Sequence, residues 1–326
     1  MTEDLLSVNN LCVHFKTIDG MVRAVDDVTF QIKKGQAVGL VGESGSGKTA
    51  TALTILHLLP KAARVLGGSI WFQGKDTLRL ADEQMRMIRG KEISMVFQDP
   101  MSFINPVLKT GDQVAEVLRF HAGMKKDAAR KRVIELFKLV QIPAAEEAVD
   151  YYSHQLSGGM RQRVMIAAAL ACNPVMIIAD EPTTALDVTV QAQIIDLIKK
   201  LKEELHMSLL LITHDLGIVA ELCDQVCVMY AGKIVEAAGI YTLYKDPKHP
   251  YTQGLLRSNL SVAKASRILE TIGGMAPNLL DPPTGCRFHP RCRYAMKVCP
   301  DKEPPLITID EHHQVACWLH PSGETK

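Results

Sequence analysis

Ala37-Val38-Gly39-Leu40-Val41-Gly42-Glu43-Ser44-Gly45-Ser46-Gly47-Lys48-Thr49 is the stretch that decides the fold. Ala37 to Val41 reads as a compact apolar strand, and helical periodicity runs from Gly47 to Leu58. Between them, Gly42 to Thr49 fits G-x-x-x-x-G-K-[ST] in the strand-to-helix setting that the motif requires. The glycines let successive backbone N–H groups turn inward around phosphates, and the helix N-terminus adds partial positive charge. Lys48 is placed to reach β- and γ-phosphates, and the Thr49 hydroxyl to ligate Mg2+. A glycine turn carrying a surface lysine is the bland alternative, and the flanking strand and helix weigh against it.

Downstream, Val175 to Ala179 is a second apolar strand, and it delivers Asp180 to a metal site with Glu181 next in line to polarise a water. Further strands are expected at Ser69 to Phe72, flanked by Gly67-Gly68 and Gln73-Gly74, and at Ile93 to Phe97, Ser208 to Thr213 and Gln225 to Tyr230. Helical segments separate the later ones, which predicts a parallel sheet of βαβ units and an α/β fold. Leu6 to Ile32 reads as short strands with a turn at Thr17 to Gly20, and Met101 to about Glu147 is mostly helical. Gln98 and His214 each follow a strand. In isolation each is more simply a loop residue, but carboxyl ends of strands are where ligands bind in open α/β sheets.

The 326 residues allow one large domain and a smaller one. Lys+Arg 37 against Asp+Glu 36 leaves a formal charge of +1, so no global field draws the chain to nucleic acid. A spanning helix needs roughly 20 apolar residues, and the longest run, Val164 to Cys172, is far shorter. The N-terminus lacks the basic start and apolar centre of a signal peptide. The chain therefore reads as cytoplasmic, with any membrane attachment supplied by a partner.

Leu156-Ser157-Gly158-Gly159 opens a helix ahead of the acidic strand. Taken with Gly42 to Thr49, Gln98, Val175 to Asp180, Ala185-Leu186-Asp187 and His214, it resembles the ATP-binding subunit of ABC transporters, with all six motifs in family order over residues 6 to 240. The resemblance implies a P-loop NTPase: a RecA-like core, an N-terminal antiparallel β subdomain and a helical subdomain at about 100–165, within an ATP-binding domain of residues 1–245. It implies that Gly42, Glu43, Ser44, Gly45, Ser46, Gly47, Lys48, Thr49 and Ala50 hold ATP, that Thr49, Gln98 and Asp180 attend Mg2+, and that Glu181, Gln98 and His214 act in hydrolysis. Phe15 is the match for the aromatic residue that stacks on adenine, with His14 the runner-up. Ser157, Gly158 and Gly159 would contact nucleotide held by a second ABC ATPase, a paralogue or an identical copy, so that two subunits close around ATP.

The resemblance narrows further. Phe97 to Pro106, His154 to Arg163 and Asp180 to Thr189 look like the dipeptide/oligopeptide/nickel importer ATPases, with the dipeptide-permease ATPases the nearest match. Lys248-His249-Pro250-Tyr251-Thr252-Gln253 matches that group's C-terminal extension, here residues 246–326. The implied function is ATP-driven import of di- or oligopeptides at the cytoplasmic face of the membrane, with two permease subunits and, indirectly, a solute-binding protein. Pro100 to Asn105 would receive the permease's coupling helix. The alternatives are a nickel or other small-solute importer and a soluble ABC ATPase outside transport. The latter usually carries two cassettes or a long coiled-coil insert.

Four of the eight cysteines, Cys286, Cys292, Cys299 and Cys317, crowd into the end of the chain with spacing C-x5-C-x6-C-x17-C. In a reducing compartment a metal is the better expectation than disulfides. Structural zinc sites usually show a tight C-x2–4-C knuckle, which is missing here. A [4Fe–4S] cluster therefore leads, with Zn2+ and free thiols as alternatives. His289, His312, His313 and His320 nearby read as solvated polar side chains. Cys12, Cys172, Cys223 and Cys227 read as small buried hydrophobes.

Overall fold

In a computed structural model that describes residues 4–184, 186–263, 272–310 and 312–320, twelve strands appear among the described residues. They are β1 Asp4–Thr17, β2 Gly20–Lys33, β3 Ala37–Val41, β4 Ala63–Phe72, β5 Lys75–Asp76, β6 Ile93–Val96, β7 Met176–Asp180, β8 Ser208–Thr213, β9 Gln225–Tyr230, β10 Lys233–Gly239, β11 Ile307–Asp310 and β12 His313–Val315. The chain forms two compact units, Met1–Arg79 with Leu211–Lys326, and Leu80–Leu210.

The first unit holds an antiparallel sheet of order β2-β1-β4-β5. Side chains of a strand alternate between faces, and along β1 the residues Leu6, Val8, Leu11 and Val13 are wholly buried. The alternation skips one residue between Val8 and Leu11, where the register with β2 shifts. Where short strands were expected, β1 and β2 are each 14 residues long, because bulges absorb the irregularities without ending the ladder. The Gly67-Gly68 pair, expected to flank β4, runs inside it for the same reason: it lies across from the bulge between Asn9 and Cys12.

The same unit contains strands in the order β11-β12-β10-β9-β3. All five residues of β3 are buried, and β3 runs parallel to β9, with Val38 opposite Gln225 and Val41 opposite Val228. The β9–β10 hairpin is antiparallel. The C-terminal extension then adds β12 to the outer side of β10, pairing Ala238 with His313 and Glu236 with Val315. These last strands are three and four residues long, too short for periodicity to reveal.

In the second unit β6 and β7 are parallel, and helices surround the helix Gly158–Leu170. Every residue of that helix from Gln162 to Leu170 is buried. A helix apolar on all sides belongs inside a protein, which explains the longest apolar run in the chain; no described helix is long and apolar enough to cross a membrane. Its Arg163 is sunk with the rest, donating to the Val140 carbonyl at 2.7 Å, and burial lowers its pKa. Helix Lys126–Leu139 packs through Ala129, Val133, Leu136 and Phe137, the i, i+4, i+7 stripe of an amphipathic helix.

Candidate active site

In the first unit the phosphate loop joins β3 to the helix Lys48–Ile55. Gly47 has φ 105°, and a Cβ there would lie 2.2 Å from the Ala24 carbonyl oxygen, so only glycine fits. Lys48 is 5% exposed. Its Nζ donates to the Gly42 and Glu43 carbonyls at 2.8 Å each, with Ser46 Oγ at 3.4 Å. An ammonium held inside a glycine-turned loop at a helix start is the donor set that an anionic phosphate requires. Ser44, Gly45 and Thr49 are exposed, Gly42 and Ser46 buried, and Glu43 and Ala50 half-buried.

Phe15 is half-buried on β1, opposite Val22 of β2 and Ala63 of β4. His14 beside it has its pKa lowered, first by burial, with Asp26 opposing. His214 is exposed directly after β8. The next residue, Asp215, caps the helix Leu216–Leu222 by accepting the Gly217 N–H at 2.7 Å, which fixes the turn that carries the histidine.

The second unit assembles the acidic group. Asp180 ends β7 at 3% exposure, and Glu181 turns out of the strand at φ 44°. Gln98 Nε2 donates to Glu181 Oε2 at 2.9 Å, and Thr184 Oγ1 donates to the same oxygen at 2.8 Å. Two neutral donors thus orient the carboxylate without neutralising it. Asp99 follows Gln98 and caps the short helix Pro100–Phe103, accepting from Met101 N at 2.9 Å and Ser102 Oγ at 2.6 Å. Those bonds, the Ser102 hydroxyl first, hold its pKa below the usual carboxylate value.

Ser157 is the N-cap of the buried helix, its Oγ accepting the Met160 N–H at 3.3 Å, and Ser157 and Gly158 are exposed while Leu156 is anchored below at 4% exposure. The segment therefore presents a helix N-terminus outward. Of the residues Ala185-Leu186-Asp187, Ala185 lies outside the described residues, and Asp187 caps the helix Val188–Leu205 through the Val190 N–H at 2.9 Å.

Cys286, Cys292, Cys299 and Cys317 form no disulfide, and among the described residues no three His, Cys, Asp or Glu side chains converge as a metal-holding group. No C-x2-C knuckle forces two sulfurs together, so each arrives on its own loop. Cys299 Sγ accepts the Met296 N–H at 3.3 Å. Burial, then neighbouring cysteines, pushes the Cys286 thiol up to about 11, and burial likewise raises Cys292 and Cys317. Gly285 at φ 64° lets the loop close, placing Cys286 N 2.8 Å from the Cys299 carbonyl.

The histidine expectation is corrected. His313 is 1% exposed, not solvated, with Nε2 2.7 Å from Glu236 Oε1. Glu236, wholly buried, also accepts the Lys248 and His249 N–H groups at 2.7 and 2.9 Å. Burial alone would raise its pKa, but these hydrogen bonds, His313 foremost, carry it below the ordinary value. A strand paired from so far along the chain leaves no local signal.

Three contacts of evident functional interest were not read from the sequence: Thr184 on Glu181, and Tyr251 and Arg291 on Glu43. For Thr184 the signal was a hydroxyl one turn after the acid. Tyr251 sits within Lys248 to Gln253 and Arg291 directly precedes Cys292, but nothing there names their partner.

A family model described as ABC transporter matches residues 25–184. The oligopeptide transport ATP-binding protein OppD of Bacillus subtilis (strain 168) is 48% identical over 98% of this chain and 90% of its own length. This chain belongs to the ABC transporter family. A second model, described as oligopeptide/dipeptide transporter, C-terminal region, matches residues 235–299. The dipeptide transport ATP-binding protein DppD of the same organism is 49% identical, covering 97% of this chain and 95% of that one. Among solved structures, the dimeric post-hydrolysis state of the ATP-binding cassette MJ0796 bound to ADP and Pi aligns at TM-score 0.65 and 30% identity, over 72% of this chain and 98% of that chain. CbiO1 of Clostridium perfringens, part of the complex cbiONQ, aligns at 0.62 and 28%, over 75% and 92%. The ABC cassette is thus an α/β P-loop fold with an antiparallel N-terminal sheet, as the motif order implied, and the chain is an ABC-type ATPase.

Proposed function

We propose that this ABC ATPase powers import of di- or oligopeptides through a membrane permease. Support comes from the peptide-transport relatives and the matching C-terminal region. The identities to the oligopeptide and dipeptide relatives, 48% and 49%, favour neither cargo, and nickel remains the alternative within the subfamily.

The observation that carries the catalytic reading is Glu181, held by Gln98 and Thr184 through one oxygen directly after the buried Asp180. In this reading Lys48 and the backbone N–H groups of the loop hold the ATP phosphates, with Gly42 to Ala50 as the loop and Phe15 as the adenine platform. Thr49, Asp180 and Gln98 attend Mg2+, which supplies charge neutralisation at the phosphates when bound. Glu181 orients and polarises the attacking water, and His214 senses the terminal phosphate. Such catalysis is mostly positioning and electrostatics. Exposed Ser157 and Gly158, with Gly159, would reach a nucleotide bound by a second ATPase subunit. MJ0796 was solved as a dimer, which supports a paired working state. ATP-driven closure and reopening would then move two permease subunits fed by a solute-binding protein.

The permease would dock on the segment Pro100 to Asn105, where Met101 and Phe103 expose apolar side chains beyond Gln98, holding the subunit at the cytoplasmic face. Functionally, residues 1–245 form the ATP-binding domain, with the helical part at about 100–165, and 246–326 the extension. There, Cys286, Cys292, Cys299 and Cys317 are proposed to bind metal, [4Fe–4S] ahead of Zn2+. The Met296 N–H on Cys299 Sγ is compatible with thiolate ligation, and the ligand set would close only on loading.

Glu181→Gln should cut steady ATP turnover by roughly 10^2 to 10^4-fold while leaving fluorescent-ATP binding intact. Near-normal hydrolysis would remove Glu181 from its role. Anaerobically purified protein should be brown and contain iron and sulfide; colourless protein with one zinc per chain would replace the cluster with zinc. Peptide-stimulated turnover in vesicles carrying the permeases tests cargo, and stimulation by nickel alone would reverse that choice.

A further inference from the structure

The loop residue Glu43 is gripped twice from the C-terminal extension. Arg291 forms a bidentate pair with its carboxylate, Nη1 to Oε2 at 2.8 Å and Nη2 to Oε1 at 3.0 Å. This is the fork-on-fork geometry in which arginine gives both strength and direction. The Arg291 side chain is 7% exposed. Its own extension aims it: Nε donates to the Gly273 carbonyl at 2.9 Å, and the guanidinium lies 5.8 Å from the Tyr230 ring centroid. The Tyr251 hydroxyl takes the second grip, accepting the Glu43 backbone N–H at 2.8 Å. Tyr251 has no exposed surface, and its ring is wedged between Tyr230 and Phe288 at centroid distances of 4.6 and 5.5 Å.

The placement of that second bond is informative. Glu43 N–H and Gly42 C=O belong to one planar peptide unit. Tyr251 holds the unit by its N–H, and Lys48 Nζ holds it by its carbonyl oxygen at 2.8 Å. Lys48 also binds the carbonyl on the other side of Glu43. Rotation of this peptide would therefore move the resting place of the ammonium that meets the phosphates. Arg291 prevents the alternative motion, a swing of the Glu43 side chain that would drag its backbone. The extension touches the neighbouring strand as well, with Arg287 on Asp26 and the Leu279 carbonyl accepting the Arg23 N–H at 2.9 Å.

We propose that Tyr251 and Arg291 are positioning residues of the phosphate loop, through which the C-terminal extension sets the affinity for the triphosphate. Neither touches nucleotide; each acts through Glu43. The proposal rests on the ATPase reading and adds to it a role for the extension.

The test uses the full-length purified chain and MgATP. Tyr251→Phe removes one oxygen and keeps the packed ring; Arg291→Ala removes the fork, and Arg291→Lys keeps the charge. Loss of one such hydrogen bond should raise the MgATP Kd and KM roughly tenfold, with kcat at saturating MgATP within twofold of wild type. Arg291→Lys should fall between wild type and Arg291→Ala. The double variant Glu43→Gln with Arg291→Ala should bind no worse than the weaker single, because the two residues form one linkage. The nucleotide-free Tm of Tyr251→Phe should fall by only about 2–4 °C, which separates positioning from unfolding, and this variant decides the matter if Arg291→Ala does not fold. Wild-type binding of MgATP with Tyr251→Phe and Arg291→Ala within twofold would overturn the inference alone. No MgATP binding by the wild-type chain would overturn the ATPase reading as well.

Discussion

The phosphate loop and the C-terminal extension lie in one compact unit but are built by opposite rules. In the loop the defining contacts are local: Lys48 reaches Gly42, Glu43 and Ser46, all within six positions. In the extension they span the chain, with Arg287 reaching back 261 positions to Asp26, Arg291 reaching 248 to Glu43, and Tyr251 reaching 208. A short glycine turn makes its site from its own backbone. A loop-rich segment with few apolar residues becomes ordered by borrowing partners from elsewhere.

If that contrast is right, cutting the anchor of the extension should cost the most. Phe288 is 4% exposed and packs against Tyr230, Tyr251 and His249. Phe288→Ala should lower unfolding stability by about 3–5 kcal/mol, measured by urea titration. A loss below about 1 kcal/mol would show that the extension rides on the unit without helping to hold it.

Acid should produce the next largest effect. His249 is buried, and burial lowers its pKa from 6.5 to about 4. The unfolded chain takes up the proton first, so this contribution is fully present above pH 6.5 and is lost as the pH falls toward 4. The full shift corresponds to about 3 kcal/mol. Urea melts at stepped pH should show the slope, and His249→Gln should flatten it. The hydrogen-bonded Glu236, whose pKa is lowered from 4.5, keeps its contribution above that value and loses it as the pH falls further. A flat profile between pH 6.5 and 4 in the wild type would place His249 in contact with water.

The smallest effect is local and belongs to the second unit. Asp187→Ala removes the cap of the helix Val188–Leu205 and should cost about 1 kcal/mol, with the acid slope above unaltered. A change in that slope would mean that the two regions are energetically coupled at this residue.

Most of the candidate active site was legible because its parts are defined by short spacings. Glycines at fixed intervals before Lys48 and an apolar strand before Asp180-Glu181 each state a backbone geometry. The grip of Gln98 on Glu181 was partly legible: both residues were placed at strand ends, but the bond between them joins positions 83 apart. The metal reading of the tail shows the limit of spacing. It named four sulfurs by their intervals, and among the described residues they close no ligand group, because loop direction is not encoded in the interval between cysteines. The solvated reading of His313 is overturned because a polar residue in a polar segment reads as solvated until β12 carries it beneath Glu236.

By itself the sequence determined the ATPase family and its α/β P-loop fold and named candidate residues for phosphate, metal and water, since these readings depend on φ freedom, strand polarity and short-range spacing. Only the tertiary structure decided that Thr184 holds Glu181, that β12 completes the edge of β10, and that Tyr251 and Arg291 grip Glu43. Those contacts exist because folding brings distant backbone and side-chain groups out of water together, where each buried donor must find an acceptor.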